Sequence, residues 1–140
     1  MYNDFNYRRK KIMETFTSPK NKVNELNPSW TIINSFSSTC DDNLNLALKM
    51  KDNLVIDAQF KAKGCSLFLA STDILLEEIK NKTFEQINKI FQDYEQMLKT
   101  QEINLTLNDL NIFINTKNHL NRLQCVLLAK NAVEKLIKEK

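Results

Sequence analysis

The chain has 140 residues, 20 of them basic and 17 acidic, with a net charge of +3. This predicts one domain over 1–140 with a mixed, solvated surface, and bulk charge argues for neither nucleic acid nor a membrane as partner. One glycine, Gly64, stands where average usage of about 7% would give roughly ten; with only Pro19 and Pro28 beside it, a Gly-rich phosphate loop, a GxGxxG fingerprint and a linker-like tract are excluded.

Three cysteines behind a polar N-terminus predict reduced thiols in a cytoplasm, and no apolar run reaches the about 18 residues of a membrane span. The 18 Asn and 17 Lys make up a quarter of the chain. They fit an AT-rich coding background and are assigned no chemistry at this point.

Residues 4–16 carry Phe5, Ile12, Met13 and Phe16 around the basic run Arg8–Lys11, a short amphipathic helix stopped by Ser18-Pro19. The basic run reads as a solvated helix face. From Trp30 the period becomes two: Trp30, Ile32, Asn34 and Phe36 share a face, and Leu44, Leu46, Leu48 and Met50 alternate with Asn45, Ala47 and Lys49. A tight turn at Lys51-Asp52-Asn53 leads to a third strand with Ile56, Ala58, Phe60 and Ala62 on one side.

After Gly64 a helical stripe of Leu67, Phe68, Ala70, Ser71, Ile74, Leu75 and Ile79 predicts a helix over 65–80. Thr83-x-x-Gln86 matches a capping box for a helix with Ile87, Ile90, Phe91, Tyr94 and Leu98 inward. Thr106 is expected to cap a short helix, and a last helix runs from about Leu120 to Ile137. The expected architecture is α+β: a three-stranded antiparallel sheet with helices packed on one face.

The cysteines fall in three contexts. Cys40 follows Ser37-Ser38-Thr39 and precedes Asp41-Asp42, a polar loop that suits a solvent-reachable thiolate. Cys65 opens a helix, where the dipole lowers a thiol's pKa, although a small residue after a turn glycine accounts for it equally well. Cys125, between Leu123 and Val126-Leu127, reads as core, with Arg122 a turn earlier able to offset a thiolate. Spacing alone favours cysteines that fill a core over metal binding.

YRRKKIM followed by SPKNK, then TCDD, then DAQFKAKGCSLFLAS, then NRLQC and an apolar helix together resemble the U-type iron–sulfur cluster assembly proteins, the SufU/IscU/NifU N-terminal family. The ordered set covers nearly the whole chain. The resemblance implies that Cys40, Asp42, Cys65 and Cys125 are metal ligands; three thiolates and a carboxylate form a tetrahedral shell for Zn2+ and are also competent to hold a [2Fe-2S] cluster. Ligand charge of −4 against +2 calls for a cation, and Arg122 is the candidate. The 60-residue gap from Cys65 to Cys125, and Gln124 where IscU-type members carry a His, resemble the SufU type.

Two departures stand out: Asp41 replaces the glycine of the family's Cys-Gly-Asp loop, and an LPPVK-type motif is missing. His119, six residues before Cys125, is read as a loop residue outside the site. The function implied is that of a zinc-binding acceptor taking persulfide sulfur from a cysteine desulfurase (SufS-like) and passing it to iron–sulfur assembly or other sulfur recipients. It is a sulfur carrier rather than a stand-alone enzyme. Cys40 is the expected acceptor, Cys65 and Cys125 would keep the metal, and Asp42 would be the ligand most easily displaced. The alternatives are a scaffold on which a cluster is assembled and a zinc-stabilised interaction module. Gly64 is expected to turn Cys65 toward the metal.

Overall fold

The computed structural model describes residues 1–36 and 42–138. Helix α1 (Phe5–Thr17) leads into strands β1 (Thr31–Phe36), β2 (Asn43–Lys51) and β3 (Leu54–Lys63). Helix α2 (Ser66–Ile79), strand β4 (Lys82–Thr83) and helix α3 (Phe84–Thr100) follow, then a 3₁₀ segment (Leu105–Thr116) and helix α4 (Leu120–Lys138). The sheet is antiparallel throughout, in the order β1-β2-β3-β4. It has four strands where three were expected, because the pairing of Lys82-Thr83 with Leu54-Val55 is too short to leave a period in the sequence. The α+β reading otherwise holds, with α2 against β3 and α4 against β1 and β2.

The buried face of the sheet is Leu44, Leu46 and Leu48 on β2 with Val55, Ala58 and Phe60 on β3. Against it lie Phe68, Leu75 and Ile79 of α2 and Ala129 and Val133 of α4, and the same core continues through Phe91 and Tyr94 of α3. The expected alternation slips at two places. A bulge between Lys49 and Met50 sets Met50 opposite Val55 and Lys49 opposite Asp57, so Val55 takes the core position and Ile56 is only half-buried. On β1 the face containing Ile32 and Asn34 is the exposed one; Ile33, opposite Leu46, packs on the core. Helix α2 carries no single stripe: Phe68 through Leu76 are all buried, since α1, α4, β3 and the 3₁₀ segment surround it.

Turns that ordinarily call on glycine are made by other residues. Asp52 and Asn53, both at positive φ (54° and 62°), form the two-residue loop between the paired Lys51 and Leu54, the signature of a type I′ hairpin. Asn81 (63°) turns the chain between α2 and β4, Gln101 (59°) closes α3, and Asn108 (52°) bends the 3₁₀ segment. Asparagine and aspartate tolerate left-handed backbone better than other non-glycine residues, and Asn108, at ψ −131°, lies outside even that region. The asparagines set aside on composition therefore carry conformational work.

Asn111 is fully buried: its Oδ1 accepts the Asn104 amide, and its Nδ2 donates to the Asn104 and Asn108 carbonyls at 2.7 and 2.8 Å. Asn104, not Thr106, caps the segment, its Oδ1 accepting from the Thr106 amide at 3.1 Å. The capping box at Thr83 and Gln86 forms as expected. In α1, Phe5, Met13 and Phe16 are exposed instead of inward, and the helix is seated by Tyr7, Ile12 and Arg8. Among the described residues no helix is long and apolar enough to cross a membrane.

Candidate metal centre

Strand pairing sets the site. The β2–β3 ladder begins with Asn43 opposite Lys63, so the next residues outward, Asp42 and Gly64, meet at the end of the hairpin. Cys65 follows Gly64 and is the N-cap of α2, its sulfur accepting the Phe68 amide at 3.5 Å. Cys125, in the second turn of α4, reaches the same point across the packed α2–α4 interface. One donor atom each from Asp42, Cys65 and Cys125 lies within 4.8 Å of the others.

The contacts inside this triad are specific. The Cys125 thiol donates to Asp42 Oδ2 at 3.0 Å, and the two sulfurs are 3.7 Å apart. The Cys65 amide donates to Asp42 Oδ1 at 3.2 Å. Asp42 and Cys125 are buried while Cys65 is exposed, so the triad has one open side. Burial, reinforced by the Asp42 carboxylate and the Cys65 sulfur, pushes the Cys125 thiol above its ordinary range. Two sulfurs and a carboxylate oxygen converging at this spacing suit a thiophilic cation or cluster iron.

Gly64 has a steric reason rather than a torsional one, since its φ is not positive. A Cβ there would fall 2.3 Å from Asp42 Oδ1 and 2.6 Å from Phe68 Cδ2. A methyl group would collide with the carboxylate of the triad and the first core aromatic of α2. Gly64 was expected to turn Cys65 toward a metal; what its lack of a side chain does in the structure is make room for Asp42.

The remaining expected site residues divide. Cys40, and Asp41 with it, lies outside the described residues. Arg122 is exposed on the first turn of α4 and lines a cleft with Ser66 and Leu67, next in chain to Cys65. His119 is exposed beyond the 3₁₀ segment. What the residue types did not reveal are the backbone donors, the amides of Cys65 and Phe68, which depend on the corner geometry alone.

Residues 7–139 match the family model for the NifU-like N-terminal domain. The chain belongs to this family, which includes the iron–sulfur cluster assembly proteins SufU and IscU. It is 35% identical over 77 residues to the zinc-dependent sulfurtransferase SufU of Bacillus subtilis (strain 168), an alignment covering 55% of this chain and 51% of that one. It is 30% identical over 88 residues to the iron–sulfur cluster assembly scaffold protein IscU 1 of Archaeoglobus fulgidus, covering 61% and 52%. The chain thus spans about half the length of these curated relatives. The crystal structure of the N-terminal part of a nitrogen-fixing NifU-like protein from Brucella abortus superposes with a TM-score of 0.81 at 23% identity, covering 100% of this chain and 99% of the other, which establishes the fold.

Proposed function

We propose that this protein is a zinc-binding sulfur acceptor, taking persulfide sulfur from a cysteine desulfurase and passing it on within iron–sulfur cluster assembly in the cytoplasm. The observation that carries the reading is the meeting of Asp42, Cys65 and Cys125 at one point, in a family one of whose members is named a zinc-dependent sulfurtransferase. Cys40, two residues before Asp42 in the chain, is the fourth ligand and the acceptor. Zinc supplies the positive charge that keeps clustered thiols deprotonated at neutral pH.

The residues divide the work. Cys65 and Cys125 hold the metal from two rigid helices, and Asp42, a hard ligand in a soft set, is the one that yields. The Cys40 thiolate attacks the outer sulfur of the desulfurase persulfide; a new S–S bond forms on Cys40, the donor's S–S bond breaks and its cysteine leaves as a thiolate. The exchange conserves electrons and needs no oxidant. Arg122, a turn before Cys125, offsets the negative charge of the ligand set.

Incubation with a desulfurase and cysteine, followed by mass spectrometry, is expected to place the persulfide on Cys40; a persulfide found only on Cys65 or Cys125 overturns the assignment. Anaerobic purification is expected to yield tightly bound zinc without a chromophore. A transferable [2Fe-2S] absorption would favour the scaffold reading, which the likeness to scaffold proteins supports.

A further inference from the structure

A cleft of about 430 Å³ opens between α1, the start of α2, the 3₁₀ segment and the start of α4. Its cations are Arg8, Arg9 and Arg122, all three arginines of the chain; among the described residues no lysine and no carboxylate lines it. In a sequence that writes its positive charge almost entirely as lysine, the guanidinium groups gather at one place. Arginine differs from lysine in presenting a planar fork that takes a carboxylate through two parallel hydrogen bonds.

The basic run read as one solvated face in fact divides. Lys10 and Lys11 turn to the protein's own carboxylates, Glu14 at 4.0 Å and Asp109 at 3.7 Å. Arg8 is buried and fixed by donating to the Tyr2 carbonyl at 2.8 Å, and Arg9 is exposed on the cleft. Among the described residues no carboxylate pairs with any of the three arginines. The walls between them are apolar: Phe5 and Met13, 62% and 45% exposed, with Ile12 and Leu67. Exposed aromatic and methionine side chains beside arginines that have no carboxylate partner among the described residues have the composition of a protein–protein hot spot.

We propose that this cleft is the docking site for an acidic, amphipathic segment of a partner protein, its carboxylates taken by Arg9 and Arg122 and its apolar side chains seated against Phe5 and Met13. A small inorganic anion would fill little of the volume and leave the apolar wall wet. The proposal rests on the function above in one respect: a segment seated here lies beside Ser66 and Arg122, at the threshold of the sulfur-handling site.

The test uses the full chain and a short fluorescein-labelled Glu/Leu peptide with leucines at helical spacing, followed by anisotropy, with a Lys/Leu peptide and a single-stranded oligonucleotide as comparators. Saturable binding of the acidic peptide, weakened on the order of tenfold or more by Arg9→Glu and also by Met13→Ala, is the expected result. Lys10→Glu makes the same charge change one residue away, outside the cleft, and should have little effect. Equal loss with Lys10→Glu, no saturable binding, or tighter binding of the oligonucleotide or the basic peptide overturns the proposal. Zinc content measured on Arg9→Glu separates the two readings: it stays at the wild-type level if only docking is lost, whereas failure of the metal assignment would show in the wild type itself.

Discussion

Asp42 and Asp73 are the two buried aspartates among the described residues, and their donors set them apart. Asp73, on α2, takes the Lys20 and Asn21 amides at 3.1 and 2.8 Å, while the Asn21 side chain donates to its carbonyl. It pins the Pro19–Lys22 loop to the helix, and Val23 beyond it then bonds to the Phe60 carbonyl at 2.9 Å at the edge of β3. Among the described residues Asp42 accepts from the Cys65 amide and the Cys125 thiol. An amide proton stays in place at any physiological pH, but a thiol proton can be exchanged for a metal. Burial of the same residue type therefore marks structure in one place and a candidate metal site in the other.

The largest expected effect tests the candidate metal site. Cys65→Ser should lower zinc affinity by more than the about 10–100-fold that loss of a supporting partner costs, read by competition with a chromophoric chelator, while far-UV circular dichroism stays unchanged. Asp73→Asn should leave zinc affinity unchanged. A zinc loss with Asp73→Asn equal to that with Cys65→Ser would abolish the distinction between the two aspartates.

Next in size is Gly64→Ala. The added methyl meets the Asp42 carboxylate and Phe68, at a cost of about 1–3 kcal/mol in denaturant unfolding together with a drop in zinc affinity. Asp42→Ala in the same chain should relieve part of the folding cost, because one of the two clashing groups is gone; strict additivity would show that the carboxylate is not what Gly64 accommodates.

This corner shows what the sequence could and could not convey. Gly64, Asp42, Cys65 and Cys125 were legible as residue types in the right order, and the strand-to-helix junction was legible from the change of period. The reason for Gly64 was not, since a torsional need and a need for space look alike in sequence and only the Asn43–Lys63 register decides. The asparagines were misjudged for a related reason. Composition cannot distinguish a residue supplied by codon bias from one at positive φ, and Asn53, Asn81 and Asn108 are the latter. Ile56 and Ile32 were misplaced because one bulged residue reverses facing and an edge strand has two plausible faces.

The comparison of turns yields a smaller effect. Asn53→Gly should change stability by no more than about 0.5 kcal/mol, as relief of the positive φ offsets the entropy of the freer unfolded chain. Asn53→Ala should cost about 1 kcal/mol. A large loss with glycine would mean that the asparagine side chain, and not its torsion, is required.

Asp73 itself offers two further measurements. Each of its oxygens accepts an amide, so Asp73→Asn turns an NH2 group toward a donor and should cost about 1–3 kcal/mol. The smaller effect is in pH. Burial, the dominant cause, raises the Asp73 pKa above its ordinary value against the opposing pull of the two amides. In the interval between the ordinary and the raised value the native state binds more protons than the unfolded chain. The penalty for ionising Asp73 is therefore fully present above the raised value and is relieved as pH falls toward the ordinary one. Asp73→Asn removes this titration, and the acid sensitivity of the other carboxylates cancels in the difference between the two proteins. The stability advantage of the wild type should accordingly widen on mild acidification, as followed by urea unfolding at stepped pH. A narrowing would mean that the amides of Lys20 and Asn21 outweigh burial and hold the carboxylate ionised.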